Sequence, residues 1–150
     1  MFSQTTEYAL RAAATLARDP EVPKTAQQIS QATQVPAFYM SKILHDLGGA
    51  GLVHAQRGRH GGFILAHPPE QVSILDVVNA IAPLHRITRC PLGIPGHVRL
   101  CPLHRRIDDA IAHVEESFGR TSLAVAFVKG INPDIDRFDG ASITALTRTK

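Results

Sequence analysis

The stretch TAQQISQATQVPAFYMSKILHDLGGAGLVHAQRGRHGGFIL, residues 25–65, decides the fold. Thr25-Ala26-Gln27-Gln28 has capping-box form, with Thr25 as N-cap and Gln28 at the third helical position, and it predicts a short helix over about 26–33. Val35-Pro36 opens a second helix; Pro36 suits its first position, where a missing N–H costs nothing. Met40, Ile43, Leu44 and Leu47 then recur at i, i+3, i+4 and i+7, the stripe of a half-buried helix. The other face carries Ala37, Phe38, Ser41, Lys42 and His45, and Gly48-Gly49 ends the helix. Residues 52–56 and 63–65 read as two strands. The glycine-rich basic turn Arg57-Gly58-Arg59-His60-Gly61-Gly62 joins them as a hairpin tip. Short helix, tight turn, second helix and basic-tipped hairpin make the plan of a winged helix-turn-helix. The expected fold class is mainly α with a small β-hairpin wing.

Working outward, residues 4–18 read as a helix with Ala9, Ala12, Ala13 and Leu16 on adjoining faces, stopped by Asp19-Pro20. Ser73 is placed to cap another helix, with Ile74, Val77, Val78 and Ile81 inward. Residues 83–102 hold four prolines and read as a loop. From Leu103, the positions Leu103, Ile107, Ile111, Val114 and Phe118 recur with helical spacing, and the other faces are charged or polar. Such a stripe needs a partner, either the chain's own core or a second copy. The expected organisation is a winged helix-turn-helix domain over 1–82, a cysteine-containing sensor loop over 83–102 and a dimerisation helix region over 103–128. The tail, 129–150, has the weak periodicity of a disordered segment.

The 150 residues can bury a real core, and 44% apolar with 19% charged residues excludes a chain disordered or coiled-coil throughout. No apolar run approaches the ~18 residues of a membrane span. The N-terminus lacks a signal-peptide layout, so a cytoplasmic protein without membrane association is expected. The net charge of +3 decides little, but its distribution is local. Residues 86–106 hold Arg86, Arg89, Arg99, Arg105 and Arg106 and no acid, which suits a polyanion partner. No phosphate loop, nucleophile elbow or His-Glu-x-x-His is present, so an enzyme is not expected.

The second helix of a winged helix-turn-helix fits the DNA major groove. Phe38, Ser41, Lys42 and His45 are its exposed candidates: Ser41 and Lys42 for phosphate or base edges, Phe38 for a thymine methyl. Arg57, Arg59 and His60 on the wing suit the backbone or the minor groove. Each residue singly also suits an ordinary solvated surface, so the order of elements carries the reading.

Cys90, His97, Cys101 and His104 form a second constellation. Thiolate and imidazole favour zinc, copper(I) or iron–sulfur clusters. Proline and glycine let such a loop wrap an ion, and basic surroundings would lower the thiol pKa. The spacing is not that of a zinc ribbon or finger. A Cys90–Cys101 disulfide as a redox switch and two small buried apolar side chains also fit.

Several motifs together resemble a known family. They are Thr6-Glu7-Tyr8-Ala9-Leu10-Arg11, Val35-Pro36 followed by Tyr39-Met40-Ser41-Lys42-Ile43-Leu44, Ala50-Gly51-Leu52-Val53, and Arg57-Gly58 with Gly61-Gly62-Phe63. The chain resembles the IscR/NsrR-type (Rrf2) winged-helix transcription regulators over about residues 2–127. The resemblance implies a homodimer joined through the helix from Leu103 and binding to a roughly palindromic DNA operator. It also implies an iron–sulfur cluster, [2Fe–2S] favoured over [4Fe–4S]. Cys90 and Cys101 match the first and last cluster cysteines. The middle cysteine is missing and His97 falls at its place. Glu7 occupies the position of an acidic ligand in the first helix, with His104 in reserve. The departure leaves room for a cluster-free regulator switched by thiol oxidation or a small ligand. It also leaves room for a zinc-binding interaction module without DNA binding and, least of all, for an enzyme subunit.

Overall fold

The computed structural model describes residues 2–91 and 99–128. Among them the chain forms α1 (Gln4–Arg18), α2 (Ala26–Thr33), α3 (Ala37–Gly49), β1 (Val53–Gln56), β2 (Gly62–Leu65), α4 (Ile74–Ile81) and α5 (Pro102–Arg120). A π-helical turn, Ala124–Val128, follows α5. The expected mainly helical fold with a two-stranded antiparallel wing is what forms.

Local chemistry fixes the helix starts. The Ser3 side chain accepts from the Thr6 N–H at 3.1 Å to begin α1. Both arms of the Thr25/Gln28 capping box are present on α2, and Ser73 with Asp76 builds a second box on α4. Pro36 departs from expectation: it is the N-cap of α3, not its first helical residue. Its ψ of 139° is extended, and its carbonyl accepts the Met40 N–H at 3.0 Å, so it starts the ladder from outside. The preceding turn is made by Gln34, in the left-handed region at φ 57°. That conformation is costly for a residue with a Cβ. The Ser30 side chain braces the turn by donating to the Val35 carbonyl.

Ala9, Ala12, Ala13 and Ala17 are buried along α1, and such small side chains let neighbouring helices approach closely. Leu16, Ile29, Val35, Met40, Ile43, Leu44, Leu47 and Val77 fill the space between α1, α2, α3 and α4. The whole predicted stripe of α3 is therefore core. In the wing, Val53 pairs with Leu65 at the buried base, and the register runs outward through His54 with Ile64 and Ala55 with Phe63 to Gln56 with Gly62. Lys24 and Phe63 exchange backbone hydrogen bonds of 3.0 and 2.8 Å, pinning the hairpin to the segment after α1. Gly62 is required there: a Cβ on it would stand 2.6 Å from the Lys24 backbone.

The C-terminal region divides where one dimerisation segment over 103–128 was expected. α5 ends at Arg120, and no residue of this 19-residue helix is buried. The chain then returns to the first domain: Ile74 N–H donates to Thr121 O at 2.9 Å and Leu123 N–H to Val72 O at 2.8 Å. Leu123 and Ala124 are fully buried there. Pro102 belongs to α5 and not to the loop before it. His97 and the expected disordered tail over 129–150 lie outside the described residues. No helix among the described residues is long and apolar enough to cross a membrane.

Candidate nucleic-acid interface and cysteine centre

The capped turn between α2 and α3 buries one face of α3 and so presents the other. Phe38, Ser41, Lys42 and His45 are all exposed, Phe38 at 80%. Ser41 Oγ donates to the Ala37 carbonyl at 3.1 Å, one turn back on the same helix. Lys42 Nζ meets Asp46 at 3.1 Å, an exposed i,i+4 pair worth little in water and readily exchanged for a phosphate. The wing residues Arg57, Arg59 and His60 are exposed as well, beside Gly58 at φ 118°. All seven residues expected to face DNA thus lie at the surface, on α3 and on the wing.

Tyr39, which the sequence offers only as part of a family motif, is not among the exposed candidates named for α3. It is half exposed and stands edge-on to Phe38, with centroids 5.8 Å apart, and to Tyr8 of α1, at 6.3 Å. The Arg11 guanidinium lies 5.9 Å from the Tyr8 ring centre. The result is an aromatic ledge running from α1 to the start of α3. The available signal was that Tyr39 falls outside the buried stripe.

At the start of α5, Cys101 is the N-cap, Pro102 the first residue and His104 the third helical position. Cys101 and His104, three residues apart, therefore meet on one side of the helix. His104 Nδ1 lies 3.1 Å from Cys101 Sγ and 3.6 Å from Cys90 Sγ. The three donor atoms all fall within 4.8 Å of one another. Both cysteines are free thiols, half-buried. The Cys101 thiol is held below its ordinary value, first by the backbone N–H of His104; burial opposes this and the Cys90 side chain adds to it. The cause is the helix N-terminus acting on the sulfur, although the geometry falls short of a cap hydrogen bond, and not the basic surroundings invoked from the sequence.

His104, placed in reserve from the sequence, is thus central to the described site. Glu7 is not among the grouped donors; it is exposed and pairs with Arg11 at 2.7 Å. The spacing of Cys101-Pro102-Leu103-His104, with proline at the first helical position, was the signal that pointed to His104. The donor types are those that an iron–sulfur cluster or a thiolate-preferring ion takes.

The arginine-rich stretch is not wholly free for a polyanion. Arg86 donates to both carboxylate oxygens of Asp108 on α5, at 2.7 and 2.6 Å, and its other nitrogen lies 3.5 Å from Glu115. Asp108 also accepts the Ile87 N–H at 2.8 Å. The strap between α4 and the cysteines is therefore fastened to α5. Leu84 of this strap, Phe2 and residues Ile107, Ala110, Ile111 and Val114 of α5 line an apolar groove of about 220 Å³.

Comparison with known proteins places this architecture. Two solved structures share the fold. The cysteine regulator CymR of B. subtilis has a TM-score of 0.73 at 21% identity, covering 87% of this chain and 98% of CymR. IscR of T. potens has a TM-score of 0.72 at 19% identity, covering 91% of this chain and 96% of IscR. A protein of Aquifex aeolicus, named among the HTH-type transcriptional regulators, is 26% identical over 128 residues, 82% of this chain and 88% of its own length. The pattern of the Rrf2 family, described as iron-dependent transcriptional regulators, matches residues 2–128. The chain belongs to the Rrf2 family of DNA-binding transcriptional regulators, a family of regulators and not of enzymes.

Proposed function

We propose that the protein acts as a homodimer on a roughly palindromic operator, with DNA affinity set by the chemical state of the Cys90–Cys101–His104 centre. The observation that carries the DNA reading is the joint exposure of Phe38, Ser41, Lys42 and His45 on α3 with Arg57, Arg59 and His60 on the wing. α3 enters the major groove, where Ser41, Lys42 and His45 supply hydrogen bonds and Phe38 an apolar contact. The wing cations lie along the flanking phosphates and position the head. A second copy covers the apolar face of α5, which leaves Leu103 65% and Ile107 42% exposed in the single chain. Two-fold symmetry in the protein is then mirrored in the operator.

The centre adjoins the start of α5, the helix that sets the spacing of the two heads. A metal group or cluster there would be held by Cys90, Cys101 and His104, and it supplies a charge that varies with loading or redox state. Coupling follows only if the two states of the centre favour different head spacings, and it is then reciprocal between centre and DNA. A reducing cytoplasm, which keeps the thiols free, suits such a sensor.

The test is selection of bound sequences from random DNA, followed by titration with anaerobically purified and chelator-stripped protein. The expected result is an inverted repeat, bound with affinities that differ between the two preparations by about 5–150-fold. Equal affinities overturn the coupling, and the absence of any specific, salt-sensitive binding overturns the regulator reading.

A further inference from the structure

The arrangement of the three donors decides more than their identity. In a tetrahedral site with metal–thiolate and metal–imidazole bonds of about 2.3 and 2.0–2.1 Å, a sulfur and a nitrogen on the same ion stand roughly 3.5 Å apart. The two sulfur–nitrogen distances here are 3.1 and 3.6 Å, and all three donors lie within 4.8 Å of one another. A cluster spreads its ligands differently. Each iron of a two-iron cluster takes two protein ligands, so of any three donors at least one reaches the other iron; in a four-iron cluster each ligand has an iron of its own. Cys90, Cys101 and His104 instead stand close enough together to share one ion.

From this geometry we infer that the centre takes one thiolate-preferring divalent ion of the zinc class, bound by Cys90 Sγ, Cys101 Sγ and His104 Nδ1. The inference deepens the sensor reading proposed above, but it stands on the donor geometry and is tested without DNA. Two features favour the loaded state. Cys101 and His104 are preset on one side of α5 by the helix itself, with Pro102 fixing its first turn. Arg86 and Ile87, just upstream of Cys90, are already fastened to Asp108 of α5, so Cys90 is delivered from a strap with little freedom left to lose. On binding, the ion replaces the thiol protons, which pass to solvent. It ties Cys90 to Cys101 and His104 at the start of α5.

Cobalt(II) serves as the probe, added anaerobically to the metal-free full chain. The expected result is saturation at one cobalt per chain, with the strong visible bands of tetrahedral cobalt and a thiolate-to-cobalt charge-transfer band, both bleached by zinc. Cys90→Ser and Cys101→Ser should each lose charge-transfer intensity, and His104→Ala should lose the tetrahedral bands, with helical circular dichroism unchanged. A measurement on the unaltered chain guards against variants that fail to fold: zinc should slow alkylation of Cys90 and Cys101 together. A weak octahedral cobalt spectrum, or alkylation unaffected by zinc, overturns the inference. So does anaerobic reconstitution that loads two irons and two sulfides per chain on these residues while zinc fails to compete. An ion that binds as expected yet leaves DNA affinity unchanged keeps the site and overturns only the coupling.

Discussion

The carboxylate of Asp108 on α5 takes both forks of the Arg86 guanidinium, at 2.7 and 2.6 Å, and the Ile87 N–H at 2.8 Å. One side chain thus holds both backbone and side chain of the strap that leads to Cys90. Asp108→Ala should free the strap while leaving α5 intact. Trypsin should then cut after Arg86 and Arg89 faster than in the unaltered chain, with circular dichroism unchanged. Equal cleavage rates would show that the strap is held by other contacts.

The same pair sets a pH dependence. Hydrogen bonding to Arg86, helped by the Ile87 N–H and the Arg86 charge, lowers the Asp108 carboxyl from 3.8 to about 2. A depressed carboxyl stabilises the folded form fully above its unfolded value, and that stabilisation is lost as the proton returns. Strap docking should therefore be complete above pH 3.8 and fade as the pH falls towards about 2. Carboxyl chemical shifts of Asp108 should titrate near the lower value; a midpoint at the ordinary value would mean that the fork is open in solution.

On DNA, Lys42→Ala and Arg59→Ala should each weaken binding across all sequences and lower the salt slope by about 1, the signature of one lost phosphate contact. Phe38→Ala should change sequence preference more than salt slope. Titrations at several salt concentrations separate the two effects, and unaltered affinity in both cation variants would remove α3 and the wing from the interface.

Ile107 lines the groove beside Phe2 and Leu84 but stays 42% exposed in one chain, outside the buried core, so a charge there should leave the fold of the monomer in place. Ile107→Glu should convert a dimer to a folded monomer by sedimentation velocity and should sharply weaken binding to a palindromic site. A variant that stays dimeric would place the two-fold contact elsewhere.

The core offers a control unconnected with sensing. Leu44 is fully buried between α3 and its neighbours, so Leu44→Ala should cost about 2–5 kcal/mol of stability in denaturant unfolding. A loss below ~1 kcal/mol would mean that the helices close over the gap, against the usual behaviour of a tightly packed core.

What could be read from the sequence was local and periodic. The Thr25/Gln28 box, the Met40–Leu47 stripe and the glycine-tipped hairpin each declare themselves within a dozen residues, and the structure has all three. What could not be read depends on long-range closure. Arg86 finds Asp108 across 22 positions, so a stretch that looked like free positive charge is partly neutralised. The apolar residues Leu123 and Ala124 look like a continuation of the α5 pattern, yet they are buried against the first domain because the chain turns at Thr121. His104 stands with the two cysteines and Glu7 does not, for a similar reason. The i,i+3 relation to Cys101 acts within one turn, whereas a role for Glu7 requires distant elements to meet, and its own nearby partner is Arg11.

The return of the chain after Arg120 changes what kind of mechanical part α5 is. Fastened near its beginning through Asp108 and Arg86, and just past its far end by the backbone bonds of Thr121 with Ile74 and of Leu123 with Val72, the helix is not a free arm. In the proposed dimer it would serve as the beam of a caliper. If the chain dimerises as proposed, a small rotation of one beam against its twin would turn both α3 helices by the same angle, and a shift at the sulfur atoms would become a change of gauge across the double helix.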